Sequence, residues 1–365
     1  LITSYDLLKR DLKAYQNLDF VVQIIDEAQY IKNHGTQVAK AVKEIRSEFR
    51  LALTGTPVEN RLSELWSIFD FLMPGFLYTY QKFREEIETP IVVNKDENKM
   101  ERLQRMIRPF ILRRLKGDVL KDLPEKLEEN VYAKMEGEQL ALYDAHVQQM
   151  KQMLDGKSEA EFKSNKIQIL AELTKLRQLC CDPALVYENY EGGSAKLDLC
   201  IELIQSAVES GHKILLFSQF TSMIEILTAR LQEESISCFV LQGSTKKEQR
   251  AQMVEQFNRD DTSVFCISLK AGGTGLNLTG ADIVIHYDPW WNVAVENQAT
   301  DRAHRIGQKN VVTVYKLIAK GTIEEKIIKF QQMKKELAEE ILSGDEIKTA
   351  SFQREELLEL LEERF

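Results

Sequence analysis

The feature that most constrains the fold is a series of short apolar runs that alternate with helix-like segments in the second half of the chain. The runs are rich in β-branched and aromatic residues, and they lie at 213–218, 238–241, 264–269, 283–287 and 311–317. Strands of this length that alternate with helices favour a parallel, doubly wound sheet. Because 365 residues with 44% apolar content can bury two cores, we expect two domains.

A glycine-rich loop follows the third of these runs. Gly272, Gly273 and Gly275 come directly after the strand-like stretch Val264–Leu269, and glycines allow backbone N–H groups to approach a ligand closely. Most loops of this composition are plain turns. This loop leaves the carboxyl end of a predicted parallel strand, where sheets of this type bind their ligands, so we expect a ligand-binding role.

Two arginines lie downstream of this loop in the stretch QATDRAHRIGQ, Gln298–Gln308. Arg302 and Arg305 are three residues apart, so a helix through this stretch would present both side chains on one face. Paired guanidinium groups suit a multiply charged ligand such as a triphosphate. The alternative is a solvated helix face that carries a salt bridge to Asp301.

Two apolar runs in the first half of the chain end in polar residues. The run Val21–Ile25 is typical of a parallel strand that is covered on both faces. Asp26 and Glu27 follow it, and neighbouring carboxylates can divide two tasks, one holding Mg²⁺ and the other taking a proton from an attacking water. The second run ends in Thr54 and Thr56, which we expect at the same edge of the sheet.

The composition excludes several classes of protein. No apolar run approaches the roughly 18 residues of a membrane-spanning helix, and no charged and then apolar leader opens the chain, so we expect neither a membrane protein nor a secreted one. The five cysteines show no CxxC spacing, which indicates reduced thiols in a cytosolic setting rather than a zinc site. A net charge of −9 argues against uniform coating of DNA, although it permits a localised basic track.

The clearest local reversal of this charge lies between Glu101 and Lys121, where seven Lys or Arg residues are accompanied by two acids. One interpretation is an amphipathic helix whose apolar face is Leu103, Met106 and Ile107. The other is contact with the phosphates of a DNA backbone, which adds salt sensitivity rather than sequence preference.

Seven blocks of sequence resemble, in their order along the chain, those of a known ATPase family. They are DEAQ (Asp26–Gln29), LTGTPVEN (Leu53–Asn60), RPFILRR (Arg108–Arg114), LRQLCCDPAL (Leu176–Leu185), ILLFSQFT (Ile214–Thr221), LKAGGTGLNL (Leu269–Leu278) and QATDRAHRIGQ. Five of them are similar to helicase motifs II to VI. Together they resemble the Swi/Snf-type ATPases of helicase superfamily two, and DEAQYIKN looks most like the bacterial and archaeal branch. The resemblance extends from Leu1 to Leu342.

The resemblance implies an α/β fold of two RecA-like parallel-sheet lobes, the first incomplete, with helical insertions between them and a helical C-terminal tail. We expect residues 1–130 to be the remainder of the ATP-binding lobe, 131–195 a helical insertion and linker, 196–342 the C-terminal lobe with motifs IV to VI, and 343–365 a helical tail. The linker itself is best matched by the glycine-containing stretch Tyr187–Lys196.

The resemblance also implies a site for ATP and Mg²⁺ between the lobes. Asp26 would hold the metal ion and Glu27 would activate water. Arg302 and Arg305 would stabilise charge on the departing phosphoryl group. The other residues expected to bind the nucleotide or to couple it to lobe closure are Gln29, Thr54, Thr56, Gly273, Gly275 and Gln298.

By the same resemblance, the intact protein would be a DNA-dependent ATP hydrolase that steps along double-stranded DNA without separating the strands. The expected DNA contacts are Arg113, Arg114, Lys270 and Trp291. DNA-bound proteins are further expected partners, and the protein would act in the cytoplasm at the nucleoid, or in the nucleus if its source is eukaryotic. Two alternatives stay open: a non-hydrolysing DNA- or protein-interaction module from a truncated gene, and a strand-separating helicase.

Two departures from the family pattern bear on activity. Asn292 is followed by Val293 where the family usually has proline, which is a mild change. More seriously, no G-x-x-x-x-G-K-[ST] phosphate loop precedes DEAQ, and the Gly-Lys-Ser at Gly156–Ser158 lacks the preceding glycine and strand. We therefore expect a fragment whose first lobe is poorly ordered and which hydrolyses no ATP by itself.

Overall fold

The computed structural model describes residues 1–55, 62–114, 116–154, 165–272 and 275–332, apart from the side chains of Lys166 and Lys270. The chain forms two compact units, one built mainly from Leu1–Leu112 and the other from Arg113–Gln331. Each unit contains a parallel β-sheet with helices packed on it. The expected fold class, α/β with two parallel-sheet lobes, is confirmed.

The first unit alternates helices with two strands and then continues as a run of helices. Its elements are α1 (Tyr5–Arg10), α2 (Leu12–Tyr15), β1 (Asp19–Ile25), a 3₁₀ turn (Ala28–Ile31), α3 (Gln37–Glu44), β2 (Arg46–Ala52), α4 (Leu62–Leu72), α5 (Tyr80–Phe83), a π turn (Arg84–Glu88), α6 (Thr89–Asn94), α7 (Glu97–Ile107) and a 3₁₀ turn (Arg108–Phe110). Side chains cap several helices, as where Thr36 Oγ1 accepts from Ala39 N at the start of α3.

Strands β1 and β2 pair in parallel, and only one side of this sheet is buried. Ile25 packs with residues of α3 and α4 in an apolar core. On the other side, Ile24 is 59% exposed and its partner Leu51 is 52% exposed. The expectation that the strand through Val21–Ile25 is covered on both faces is therefore wrong for this structure, because the described helices contact the opposite face of the sheet.

A second core of the first unit is helical. Residues of α4, α6 and α7 bury Leu65, Ile91 and Leu103 against one another. Helix α7 buries Leu103 and Ile107 and partly buries Met106, so the predicted apolar face of this basic segment is confirmed. The arginines of α7 lie on its exposed side.

The second unit contains six strands and the remaining helices. Its elements are α8 (Lys116–Val119), β3 (Lys126–Ala133), α9 (Gly137–Leu154), α10 (Lys166–Cys181), a 3₁₀ turn (Pro183–Leu185), α11 (Ala195–Glu209), β4 (Ile214–Ser218), α12 (Thr221–Glu233), β5 (Cys238–Leu241), α13 (Lys247–Arg259), β6 (Val264–Ser268), α14 (Leu269–Gly272), β7 (Ile283–His286), α15 (Val293–Thr300) and β8 (Val312–Ala319). A further helix covers residues 323–332.

All six strands are parallel, in the order β3-β8-β7-β4-β6-β5. Every residue of β4, β6 and β7 is buried, because separate apolar cores cover the two faces of the sheet. The five strands predicted from the apolar runs are all present. Strand β3 was not predicted, since its sequence KLEENVYA lies at the edge of the sheet and is mostly exposed, so it lacks a continuous apolar run.

The chain divides earlier than the sequence suggested. The boundary between the units falls after Leu112 rather than near residue 130, because β3 pairs along its whole length with β8. The stretch Tyr187–Lys196 lies inside the second unit rather than between two domains. Ser194 Oγ donates to Cys181 O at 2.9 Å, and Lys196, only 1% exposed, forms an ion pair with the fully buried Glu324.

Helices α9 and α10, in the predicted helical insertion, form an antiparallel hairpin. Gln139, near the start of α9, donates through Nε2 to Leu179 O, near the end of α10, at 2.9 Å. The Gly-Lys-Ser sequence at 156–158 and the expected helical tail at 343–365 lie outside the described residues. Among the helices that the structure describes, none combines the length and apolar character needed to cross a membrane.

Candidate functional site

The carboxyl ends of β1 and β2 bring motifs II and III together. Because the strands pair in parallel with Ile25 opposite Ala52, the residues that follow them leave the same edge of the sheet. Leu53 N donates to Ile25 O at 2.8 Å, and Ala28 N donates to Leu53 O at 2.9 Å, so backbone bonding continues past the strand ends. The expected proximity of the two motifs is confirmed.

A chain of side-chain hydrogen bonds connects these motifs. Thr54 Oγ1 donates to Gln29 Oε1 at 2.9 Å, and Gln29 Nε2 donates to Glu27 Oε2 at 2.6 Å. Glu27 itself has a left-handed backbone, with φ 50° and ψ 54°. A residue with a side chain adopts this conformation at a cost and keeps it only where the surrounding contacts hold it. Glu27 is therefore held in place from both its backbone and its carboxylate.

Tyr5 also helps to fix the backbone at Asp26 and Glu27, and no sequence pattern predicted it as a site residue. Its hydroxyl donates to the backbone carbonyl of Asp26 at 2.6 Å, and its ring stacks on Tyr30 with 5.3 Å between ring centroids. Burial, followed by the nearby charges of Asp26 and Glu27, raises the pKa of Tyr5 to about 12. The hydroxyl is therefore a neutral donor at physiological pH. Because 21 residues separate Tyr5 from Asp26, only the fold reveals the contact.

The acidic pair at this edge fits a magnesium ion bound together with phosphates. Asp26 is exposed, and its Oδ1 accepts from Glu27 N at 2.9 Å. Mg²⁺ prefers hard oxygen ligands and is usually held by one or two carboxylates, water and substrate phosphates. Across the residues that the structure describes, no group of three or more His, Cys, Asp or Glu could hold a metal ion by itself. Asp26 and Glu27 therefore offer oxygen donors of the kind that Mg²⁺ prefers.

A second cluster, in the second unit, joins motif V to motif VI. Leu278 N donates to Arg302 O at 3.0 Å, and Arg305 Nη1 donates to Leu276 O at 3.3 Å. Arg302 is buried, whereas Arg305 is half-buried. The loop after β6 and the stretch that carries both arginines are thus joined by one backbone hydrogen bond and by the side chain of Arg305.

Gln308 strengthens this connection and was not predicted as a site residue. Its Nε2 donates to the carbonyls of Ala281 (2.7 Å), Ala303 (3.2 Å) and Thr279 (3.3 Å). Its Oε1 accepts from Lys309 N at 2.8 Å. A buried amide in motif VI that bonds to the residues just after motif V fixes the spacing of these two segments, because each unmade bond would leave a polar group unsatisfied.

The two arginines do not share a helix face as predicted. Helix α15 ends at Thr300, and residues 301–307 form a series of turns. Past Thr300 the helical bonding gives way to turns, and within them the carbonyl of Arg302 accepts from Leu278 N. The alternative salt bridge to Asp301 is also replaced, since Asp301 pairs with Lys116 at 2.7 Å.

Two of the other residues predicted to bind the nucleotide lie in the described part of the second unit. Gly275 lies in the exposed loop between β6 and β7, and Gln298 is half-buried on α15. Thr56 and Gly273 lie outside the described residues. Their roles, like those of the whole predicted set, stay predictions.

The predicted DNA contacts differ in exposure. Arg113 and Arg114 are exposed at the start of the second unit. Lys270 belongs to α14, although its side chain is outside the description. Trp291 is half-buried and packs on the core of α9 and α10, with the Arg177 guanidinium 5.6 Å from its ring centroid. This packing favours a structural role for Trp291, whereas the two arginines are accessible.

Parallel sheets with an acidic pair at one strand end and bonded motifs V and VI are the arrangement that the resemblance to helicase-type ATPases implies, and comparison with known proteins supports the family. Residues 1–185 match the SNF2-related domain, and residues 195–307 match the helicase conserved C-terminal domain. The chain therefore belongs to the SNF2-related family.

Individual relatives give the same result. An uncharacterized ATP-dependent helicase of Mycoplasma pneumoniae is 42% identical over 370 residues, covering 99% of this chain and 34% of the relative. A Bacillus subtilis protein provisionally named ATP-dependent helicase/translocase YwqA is 41% identical over 354 residues, covering 94% of this chain and 38% of the relative. The chain thus spans about a third of the length of these curated relatives.

A solved structure is also similar. The SWI2/SNF2 ATPase core of Sulfolobus solfataricus in complex with double-stranded DNA is 36% identical, with a TM-score of 0.50, covering 95% of this chain and 76% of that one. The expected family, Swi/Snf-type ATPases of helicase superfamily two, is confirmed.

Proposed function

We propose that this chain is the catalytic region of an ATP-driven motor that moves along double-stranded DNA. The observation that carries the proposal is the hydrogen-bond chain from Thr54 through Gln29 to Glu27. It joins the carboxylate expected to activate water to the residue that follows the neighbouring strand. A shift of motif III would therefore change the position of Glu27.

The chemistry follows from the properties of these side chains. Asp26 would hold Mg²⁺, which neutralises charge on the phosphates when it is bound. Glu27 would take a proton from the attacking water, and the hydrogen bond from Gln29 keeps its carboxylate oriented for that transfer. Arg302 and Arg305 would stabilise the charge that develops on the departing phosphoryl group, a contribution of about 10³–10⁵ in rate for comparable arginines.

Movement on double-stranded DNA is supported by relatives and by local charge. The similar Sulfolobus solfataricus core was solved with double-stranded DNA, and the name of the Bacillus subtilis relative includes translocase. Here the exposed Arg113 and Arg114 offer contacts to a phosphate backbone. Proteins bound to that DNA would be displaced or remodelled as the motor advances.

Glu27→Gln in the full-length protein tests the proposal. We expect DNA-stimulated ATP turnover to fall about 10²–10⁴-fold, because the amide cannot accept a proton. Affinity for a fluorescent ATP analogue should change less than about 2-fold, since the side chain keeps its size. Glu48→Gln, at an exposed position of β2, is the matched control and should retain full turnover.

A wild-type protein that binds DNA but shows no DNA-stimulated turnover would overturn the motor and favour the non-hydrolysing interaction module. The absence of G-x-x-x-x-G-K-[ST] from the 365-residue sequence is the observation behind that alternative. For the same reason, we propose that this chain by itself hydrolyses no ATP above background. Turnover by the purified 365-residue chain would contradict that part of the proposal.

A further inference from the structure

The first residues of the second unit contact the turn that carries motif VI. We call residues 113–125 the lead segment; Leu115 is outside the description. Lys116 Nζ donates to Asp301 Oδ1 at 2.7 Å and also to the carbonyl of His304. At the other end of the segment, His304 Nε2 lies 2.7 Å from Pro124 O. Two separate contacts therefore connect the lead segment to the motif VI turn.

These contacts surround the arginines expected to act in catalysis. Asp301 immediately precedes Arg302, and His304 immediately precedes Arg305. The ammonium group of Lys116 donates to the side chain of Asp301 and to the carbonyl of His304. It therefore connects two points of the turn. The backbone of the same turn is already bonded to motif V through Arg302 O. A shift of Lys116 would therefore move the arginines relative to that loop or break the contacts.

The ion pair between Lys116 and Asp301 is too exposed to contribute much to the free energy of unfolding, which distinguishes a positioning role for Lys116 from a stabilising one. The side chains of Lys116 and Asp301 are 35% and 47% exposed. An ion pair this accessible to water contributes little to folding, because solvent screens it and ordering two side chains costs entropy. Its removal should leave the unit folded, and any large effect must come from the position of the turn.

We propose that Lys116 is a positioning residue that sets the motif VI arginines and links them to the exposed Arg113 and Arg114. DNA bound by these two arginines would restrain the start of the lead segment, and Lys116 would transmit that restraint to the turn. ATP turnover would then depend on DNA through this contact. The inference rests on the proposed function, since it concerns how that motor responds to DNA.

Lys116→Met in the full-length protein is the direct test. We expect kcat for DNA-stimulated ATP hydrolysis to fall about 5- to 10-fold, while KM for ATP and Kd for DNA change less than about 2-fold. Lys116→Arg should restore most of the turnover, because it keeps the charge and the donors. The control is Lys134→Met, which removes a surface ion pair of similar length, 2.9 Å, to Glu136 in the same unit.

A second measurement does not depend on catalysis. Amide hydrogen exchange in peptides that cover residues 301–307 should be faster in Lys116→Met than in Lys134→Met, because the turn loses a bond to the His304 carbonyl. The double variant Lys116→Met with Asp301→Asn should lose no more turnover than Lys116→Met alone, because Lys116→Met already removes the contact that Asp301 makes.

Equal turnover and equal exchange in Lys116→Met and Lys134→Met would overturn the inference and leave the proposed function intact. Additive losses in the double variant would also overturn it. If the wild-type protein shows no DNA-stimulated turnover, the proposed function fails and the inference fails with it. The three results are distinguishable because the wild-type measurement is made first.

Discussion

The two parallel sheets are built from strands of similar apolar character, but they are buried to different extents. In the second unit every residue of β4, β6 and β7 is buried. In the first unit Ile25 is the single buried residue of β1 and β2, while Val22, Ile24, Phe49 and Leu51 are exposed on the side away from the helices. An apolar run therefore predicts a strand, but burial depends on which elements pack beside it.

The two candidate sites also differ in exposure, and they are held by different kinds of hydrogen bond. The acidic site of the first unit is held by side-chain hydrogen bonds around Glu27 at an accessible edge. The arginine site of the second unit is held through backbone carbonyls by the buried Gln308. Substitutions in the first unit should therefore affect activity more than stability, and substitutions in the second should do the reverse unless they touch the arginines.

The largest expected difference comes from matched isoleucines. Ile285→Ala should reduce the free energy of unfolding of the second unit by about 2–5 kcal/mol, because it leaves a cavity in a fully buried strand. Ile24→Ala should cost the first unit less than about 0.5 kcal/mol, because Ile24 is 59% exposed. Urea unfolding followed by tryptophan fluorescence measures both costs. Variants that keep only Trp66 report on the first unit, and variants that keep only Trp290 and Trp291 report on the second. Equal costs would show that the exposed face of the first sheet is covered in solution.

Particular residues show how far the sequence could predict this structure. The strands β4, β6 and β7 were predictable because continuous apolar runs are required where helices cover both faces of a sheet, and β5, at the edge, was predictable because its sequence CFVL is also apolar. Strand β3 was missed because an exposed edge strand does not need such a run. The placement of Asp26, Glu27 and Thr54 at one edge followed from parallel pairing alone.

The finer geometry of the sites depends on contacts between distant residues, which no local pattern encodes. The left-handed backbone of Glu27 is maintained next to the bond from Tyr5, far upstream. Helix α15 ends at Thr300, and Arg302 accepts from the distant Leu278 N, so a helix prediction from the arginine spacing failed. Lys116 and its partner Asp301 are 185 residues apart, and only the folded sheet brings them together.

A smaller effect concerns pH and the buried histidine of the second sheet. Burial, followed by the positive charge of Lys316, lowers the pKa of His286 to about 3. The unfolded chain, with an imidazole pKa of about 6.5, binds a proton that the folded state does not bind as the pH falls below that value. His286 therefore contributes stability that is complete above about pH 6.5 and is lost toward pH 3, at about 1.4 kcal/mol per pH unit.

Urea unfolding at pH 7, 6 and 5, followed through Trp290 and Trp291 in a Trp66→Phe background, measures this term. Between pH 6.5 and pH 5 the wild-type unit should lose about 2 kcal/mol more than His286→Gln, which cannot titrate. The comparison is made between slopes, because buried carboxyls such as Glu296, whose pKa burial raises, act in the opposite direction in both proteins. Identical slopes would mean that His286 is accessible to protons in the folded unit.

The smallest predicted effect tests whether the hydrogen bonds around Glu27 in the first unit matter more for ATP turnover than for the free energy of unfolding. Tyr5→Phe removes the hydroxyl that donates to the Asp26 carbonyl but retains the ring that stacks on Tyr30. One such hydrogen bond contributes about 1 kcal/mol, so DNA-stimulated kcat of the full-length protein should fall about 5-fold, as the backbone at Glu27 is held less firmly. Unfolding of the first unit should change by less than about 1 kcal/mol because the bond lies at an exposed edge. Tyr15→Phe, which removes a hydroxyl that donates to Thr3 Oγ1 instead, is the control and should leave kcat unchanged. If Tyr5→Phe lowers stability without lowering kcat, Tyr5 supports the fold of the first unit and not the position of Glu27.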